Sequence, residues 1–206
     1  MSDVVNTLIR KCLRMPLPPP ERPREPLQKR QIRIEGFRRD DGLWDVEGHL
    51  LDTLPEDVQV AGQWRRAGEA MHAMSLRLTV DRQAQILAAS AVSDAHPFVG
   101  VCGTIAPAYA RLVGLKVGPG YRRRVQELFP ASGGCTHLSE LAIAMGTGVL
   151  QTLARTLMRD PDVRPFSLDG CHALMTDGPV VREFHPRWYR GPADGEGAGA
   201  AGRRTG

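Results

Sequence analysis

The sequence predicts an α+β fold, an antiparallel meander sheet of three to four strands followed by a helical half packed on one face. Three observations carry this expectation. Apolar and polar residues alternate with a period of two in the first half of the chain, they recur at helical spacing in the second half, and the two patterns do not interleave as βαβ units would.

Met74, Leu76, Leu78 and Val80 alternate with Ser75, Arg77 and Thr79, the pattern of a strand with one dry and one wet face. Asp81 to Ala84 reads as a turn into an antiparallel partner over Ile86 to Val92. Upstream, Trp44, Val46, Gly48 and Leu50 alternate with Asp45, Glu47 and His49. That run follows the turn-like Arg38-Arg39-Asp40-Asp41-Gly42, and Ile32 to Phe37 precedes the turn as a further strand. In the second half Leu138, Leu141, Ala142, Met145 and Val149 recur at helical spacing, continuing through Leu153 and Leu157 until Pro161 stops the helix. Thr136 is its expected N-cap. Shorter helices are expected over Pro107 to Leu115 and Gly120 to Phe129, and Val180 to Phe184 reads as a short strand whose end is packed by Trp188 and Tyr189.

Residues 1–30 hold six prolines among Arg, Glu and Gln, a composition that favours extended conformers and builds no core, so they are expected to form a disordered arm. Residues 191–206, with six glycines and no large apolar side chain, read as a disordered tail. Residues 31–190 are left as a single α+β domain. The net charge of +4 and the pI near 9.1 invite a nucleic-acid partner. The excess lies in the arm, however, and residues 31–190 carry equal numbers of basic and acidic side chains, so no nucleic acid is expected on the domain. No apolar run approaches the roughly 18 residues of a membrane span. The first residues show no signal-peptide core, and four cysteines are too few for a disulfide-stapled secreted scaffold. No membrane partner, a cytoplasmic location and reduced thiols are therefore expected.

The sharpest local feature is Gly133-Gly134-Cys135-Thr136-His137-Leu138-Ser139-Glu140-Leu141, a glycine turn that brings a cysteine and a histidine to a helix N-terminus. Unpaired N–H groups and the positive end of the helix dipole favour a thiolate there, the form that ligates metal or attacks an electrophile. Cys102 follows the second strand of the central pair, His72 precedes the first, and Cys171-His172 adds a third pair, whereas Cys12 lies in the arm and is idle. These loop ends converging on Cys135 would make a metal site from His72, Cys102, Cys135, His137 and Cys171 that takes zinc or an iron-sulfur cluster. No C-x-x-C is present, so the spacing leaves open both ordinary buried cysteines and a catalytic thiol. A second constellation lies on the first hairpin, Arg38, Arg39, Asp40, Asp41, Asp45, Glu47, His49 and Asp52, of which Asp45, Glu47 and His49 share one strand face within reach of Arg77 on a neighbour. Carboxylates beside an arginine can act as acid and base or orient a polar substrate, and they are equally the ion pairs of a solvated sheet face. Gly118-Pro119-Gly120-Tyr121 before Arg122, Arg123 and Arg124 lacks the spacing of a phosphate loop and reads as a hinge into a helix with a basic face.

Five separated stretches together resemble a bacterial family known only as a domain of unknown function. They are the Asp40-Asp-Gly-Leu-Trp-Asp-Val-Glu-Gly run ending at Gly48, His72-x-Met-x-Leu-Arg-Leu-Thr-Val-Asp, Leu112-Val-Gly-Leu-x-Val-Gly-x-Gly, Gly134-Cys-Thr-His-Leu-x-Glu-Leu and Cys171-His-Ala-Leu. The resemblance implies no chemistry. In the order of its strand pair, its Cys102 loop and its Cys-bearing helix start, the chain is also similar to NifU-type iron-sulfur scaffold proteins. That similarity implies Cys102 and Cys135 as two cluster or zinc ligands. The family's first cysteine is replaced near Ala70 and His72, and His96 falls nearer its second.

The leading expectation is a protein with a Cys/His metal or reactive-thiol site, accessory to a partner enzyme that it supplies with zinc or an iron-sulfur unit. The alternative is a small-molecule catabolic enzyme in which Cys135 is the nucleophile, His137 or His72 the base, and the acidic hairpin orients the substrate. A third reading is a non-catalytic interaction module whose arm, residues 1–30, docks a protein partner.

Overall fold

A computed structural model describes residues 17–157, 162 and 164–191. Residues 1–16 of the proline-rich arm, with Cys12, and Pro161 and the tail beyond Gly191 lie outside the described residues, while Lys29 and Arg30, expected in that arm, open the first strand instead. Four long strands, β1 (Lys29–Arg38), β2 (Trp44–Thr53), β5 (Ala70–Val80) and β6 (Ile86–Ala95), pair antiparallel in the order β1-β2-β5-β6. Between β2 and β5 the chain makes a small hairpin of β3 (Val58–Val60) and β4 (Gln63–Arg65), which the sequence reading does not contain. Three α-helices follow: α1 (Tyr121–Leu128), α2 (Thr136–Leu157) and α3 (Pro179–Phe184). The architecture is α+β, with the expected meander.

The alternation that predicts the strands also decides their faces. In β2 the even positions Trp44, Val46, Gly48, Leu50 and Asp52 are buried, while Asp45, Glu47 and His49 face outward. In β5 Met74, Leu76, Leu78 and Val80 are buried in the same layer. The connecting turns use the expected chemistry. Gly42 has φ +83, the Asp41 carboxylate accepts the Leu43 N–H, and Asp81 Oδ1 accepts the N–H groups of Gln83 and Gln85.

Helix α2 lies across β1, β2 and β5 with Leu138, Leu141, Ala142, Met145, Val149 and Leu153 wholly buried. Glycines let it approach closely. A Cβ at Gly48 would stand 2.6 Å from Met145 Sδ, one at Gly36 2.0 Å from Thr152 Oγ1, and one at Gly148 2.5 Å from Ile34 Cγ2. A one-turn-per-three-residues 3-10 helix over Cys102–Leu112 packs on β6, and its buried Tyr109 stacks on Phe129 at 4.2 Å.

Three local expectations are corrected. The Cys135 carbonyl accepts the Ser139 N–H at 2.9 Å, the first bond of α2, so Cys135 is the N-cap and Thr136 the first helical residue. The segment expected as a helix over Pro107 to Leu115 is that 3-10 helix, with Pro107 inside it and Gly114 at φ +88 just beyond its end. Val180 to Phe184 is not a strand. It belongs to α3, where Gly178 precedes a proline at the first helical position, a placement that suits the ring's fixed φ and missing N–H.

Candidate metal centre

Period-two alternation carries one carboxylate and one imidazole onto the buried face of the sheet. Asp52 continues the even-numbered apolar run of β2, and His72 stands at the matching end of β5, paired with it across the ladder. His137 reaches the same end of the sheet from the first turn of α2. His72 Nδ1 lies 3.1 Å and His137 Nε2 3.6 Å from the same oxygen, Asp52 Oδ2. The two imidazole rings stack with centroids 3.8 Å apart. One donor atom from each of the three residues falls within 4.8 Å of the others, a group that can hold a metal ion.

Asp52 is only 4% exposed, and a buried carboxylate must be compensated. Arg30 of β1 does this through two bonds, Nε to Oδ1 at 2.7 Å and Nη2 to Oδ2 at 2.8 Å, while its Nη1 reaches Glu140 Oε2 of α2 at 2.6 Å. Gln28 Nε2 adds a longer contact to Oδ1 at 3.5 Å. Burial by itself would push the Asp52 carboxyl up, but the Arg30 hydrogen bonds and charge, with help from the two imidazoles, hold it below the ordinary carboxylate value. Burial pushes the His72 imidazole down against the pull of Asp52, and burial followed by the charges of His72 and Arg30 does the same to His137. Neutral imidazoles are the form that ligates a cation. An open cleft of about 440 Å³, lined by Gln28, Arg30, Leu54 and Met71, adjoins the group.

Of the residues singled out in the sequence, the structure brings His72 and His137 together and adds Asp52, which the spacing placed only in an acidic surface cluster. Cys135 is adjacent: its Sγ is 3.9 Å from His137 Nδ1 and 3.9 Å from Met74 Sδ. Tyr109 fixes this corner, its hydroxyl donating to the Cys135 carbonyl at 2.8 Å and accepting the Cys135 N–H at 3.0 Å. Cys102 opens the 3-10 helix, and Cys171 is exposed near the C-terminal end of the described residues. Neither joins a group of three or more metal-ligating side chains among the described residues. Among the described residues, the group that could hold a metal ion offers one oxygen and two nitrogens and no sulfur.

Asp45, Glu47 and Arg77 sit on the opposite, outward face of the sheet. There Arg77 Nε donates to Glu47 Oε1 at 2.7 Å, Thr79 Oγ1 donates to Asp45 Oδ1 at 2.6 Å, and His49 Nδ1 is hydrogen-bonded to Ser75 Oγ at 2.8 Å. The arrangement in which this acidic hairpin orients a substrate for Cys135 is excluded, because the sheet itself stands between them. Arg30, Gln28 and Glu140 were not legible as site residues. The available signal was parity, since Arg30 pairs with Asp52 across β1 and β2.

A family model described as a protein of unknown function, DUF2889, matches residues 28–151. That stretch runs from Gln28 into α2 and includes every residue of the Asp52 cluster, whereas Cys171 falls outside it. No curated protein and no solved structure matches the chain. No helix among the described residues is long and apolar enough to cross a membrane.

Proposed function

The chain belongs to the DUF2889 family of proteins of unknown function, a membership that assigns it no chemistry; from its own residues we propose that it holds one divalent metal ion on Asp52, His72 and His137. The observation that carries this is the convergence of two imidazoles, from different elements and through different ring nitrogens, on one oxygen of a buried carboxylate. Two neutral imidazoles and a carboxylate are the ligands of mononuclear zinc and non-haem iron(II) sites with open positions. The group contains no thiolate, so zinc or a single iron ion fits it and an iron-sulfur cluster does not. Arg30 then plays the part of an outer partner, bonding both carboxylate oxygens and steadying the group, with Oδ2 shared between Arg30 and the ion. The open cleft beside the group leaves room for water or a small-molecule substrate at the ion, which makes this a metal-dependent reactive site rather than a closed structural one. Elemental analysis of protein purified without a metal-binding tag is expected to give about one equivalent of zinc or iron, greatly reduced in His137→Ala. A wild-type chain that carries none, and takes up none when zinc(II) or iron(II) is added under anaerobic conditions, overturns the reading.

A second reading is supported by the chain of contacts from Cys135 Sγ through His137 to Asp52, with Sγ to Nδ1 at 3.9 Å and Nε2 to Oδ2 at 3.6 Å. A thiol beside an imidazole that is oriented by a carboxylate is the arrangement of a cysteine nucleophile with its base. It predicts that iodoacetamide modifies the half-buried Cys135 ahead of the exposed Cys171, and that His137→Ala reverses the order. Modification of Cys171 first in the wild type sinks it.

A further inference from the structure

On the far side of His137 from Asp52 lies a second set of donors with different chemistry. Cys135 Sγ, Met74 Sδ and His137 Nδ1 meet where the N-cap of α2 touches the dry face of β5, and Sγ is 3.9 Å from each of the other two. A trigonal ion bound at about 2.3 Å from each donor needs donors about 4 Å apart. The two edges that meet at Sγ have that length, so Cys135 is spaced to share an ion with each of the other two donors. We propose that Cys135, Met74 and His137 form a soft-metal site that takes copper(I).

Thiolate and thioether are soft donors that select copper(I), and a thioether is a poor ligand for the hard divalent ions suited to Asp52. The charge balance points the same way. Met74 is 2% exposed, so the thioether side of the site has little water to screen a net charge. On binding, the Cys135 thiol releases its proton to solvent, and one thiolate with one copper(I) ion is neutral. Zinc(II) in the same place would leave a net positive charge beside the buried Met74. The backbone around the thiol is held by Tyr109, whose hydroxyl bonds both the N–H and the carbonyl of Cys135, so the sulfur is presented on a fixed frame. The site shares only His137 with the Asp52 group, and its existence does not depend on that group binding a metal.

The test is an anaerobic competition for copper(I) between the full chain and a chromophoric bicinchoninate chelator, with divalent-metal content read in the same samples. The wild type is expected to draw one equivalent from the chelator with a sulfur-to-copper charge-transfer band in the ultraviolet. Cys135→Ser is expected to lose at least about 100-fold in affinity, more than an outer partner would cost. Met74→Leu, which keeps the volume of the core and the fold, is expected to lose roughly tenfold. Cys171→Ser serves as the control for adventitious thiols and is expected to bind as the wild type does. A wild-type chain that leaves copper(I) on the chelator overturns the proposal, as does Cys135→Ser or Met74→Leu binding with undiminished affinity.

Discussion

Asp52→Asn is expected to abolish divalent-metal retention and to lower stability, because one oxygen of this side chain serves Arg30, His72 and His137 together. The amide keeps the shape but loses the charge and puts two donors where the carboxylate had only acceptors. Arg30 then faces an N–H at one of its two contacts. Arg30 remains about one-third exposed and keeps Glu140, so solvent softens the loss, and a cost of about 1 to 3 kcal/mol is expected in chemical denaturation followed by circular dichroism. The loss should depend on pH in a defined direction. The folded Asp52 carboxyl titrates below its ordinary value of 3.8, so the stability it contributes is present at neutral pH and disappears as the pH falls through that depressed value. His72 and His137 also titrate below their ordinary 6.5, so the folded state resists protonating them and loses stability as the pH drops below 6.5. Because the Asp52 charge partly offsets the burial of both imidazoles, the variant loses more on acidification, so wild type and variant should differ most in mildly acidic solution, below 6.5 but above the depressed Asp52 value, and converge in strong acid. A difference that stays constant from neutral to strongly acidic pH would show that the carboxylate charge is not what Arg30 and the imidazoles read.

Gly48→Val is expected to destabilise the fold strongly. Valine is the better strand former, so propensity alone favours it. Packing decides otherwise, because a Cβ at this position stands 2.6 Å from Met145 Sδ, 2.8 Å from Met145 Cγ and 3.0 Å from Leu141 Cδ1, and both neighbours are wholly buried with no solvent to move into. Helix α2 would have to lift from β2, at a cost of about 3 kcal/mol. Gly42→Ala is the useful contrast: it has φ +83 and open space around it, so only the left-handed conformation is penalised, by about 1 kcal/mol. Denaturation midpoints that rank the two variants in the opposite order would show that α2 does not lie as close to the sheet as described.

The sequence was most legible where burial is one-sided. The alternation in β2 and β5 depends only on which face is dry, and it survives folding intact. The same parity already contained Asp52 and His72, but a carboxylate at the end of an apolar run was read with its charged neighbours on the hairpin instead of with the even-numbered face it shares. Cysteine is an ambiguous signal for a physical reason: a free cysteine packs as readily as it ligates, and among the described residues neither Cys102 nor Cys171 joins a group of three ligating side chains. The β3–β4 hairpin was hidden because its turn uses Ala61 at φ +51 before Gly62 at φ +77, and alanine is not a turn signal. In α3 the opposite holds, since Gly178-Pro179 is a helix-start signal while the apolar run after it suits a strand equally well. Arg30 is the hardest case, as its meaning arises only when β1 is laid beside β2.

Strand β1 ends the sheet with no neighbour on its outer side among the described residues, and nine of its ten residues are exposed. Such an edge offers a row of unpaired backbone groups to any other strand, including the same strand in another molecule. This one carries Lys29, Arg30, Arg33 and Arg38. Arg30 is held by Asp52 and Glu140 and Arg33 lies beside Glu35, so Lys29 and Arg38 are the charges that two copies approaching edge to edge would bring together, a repulsion that opposes self-association into extended sheets.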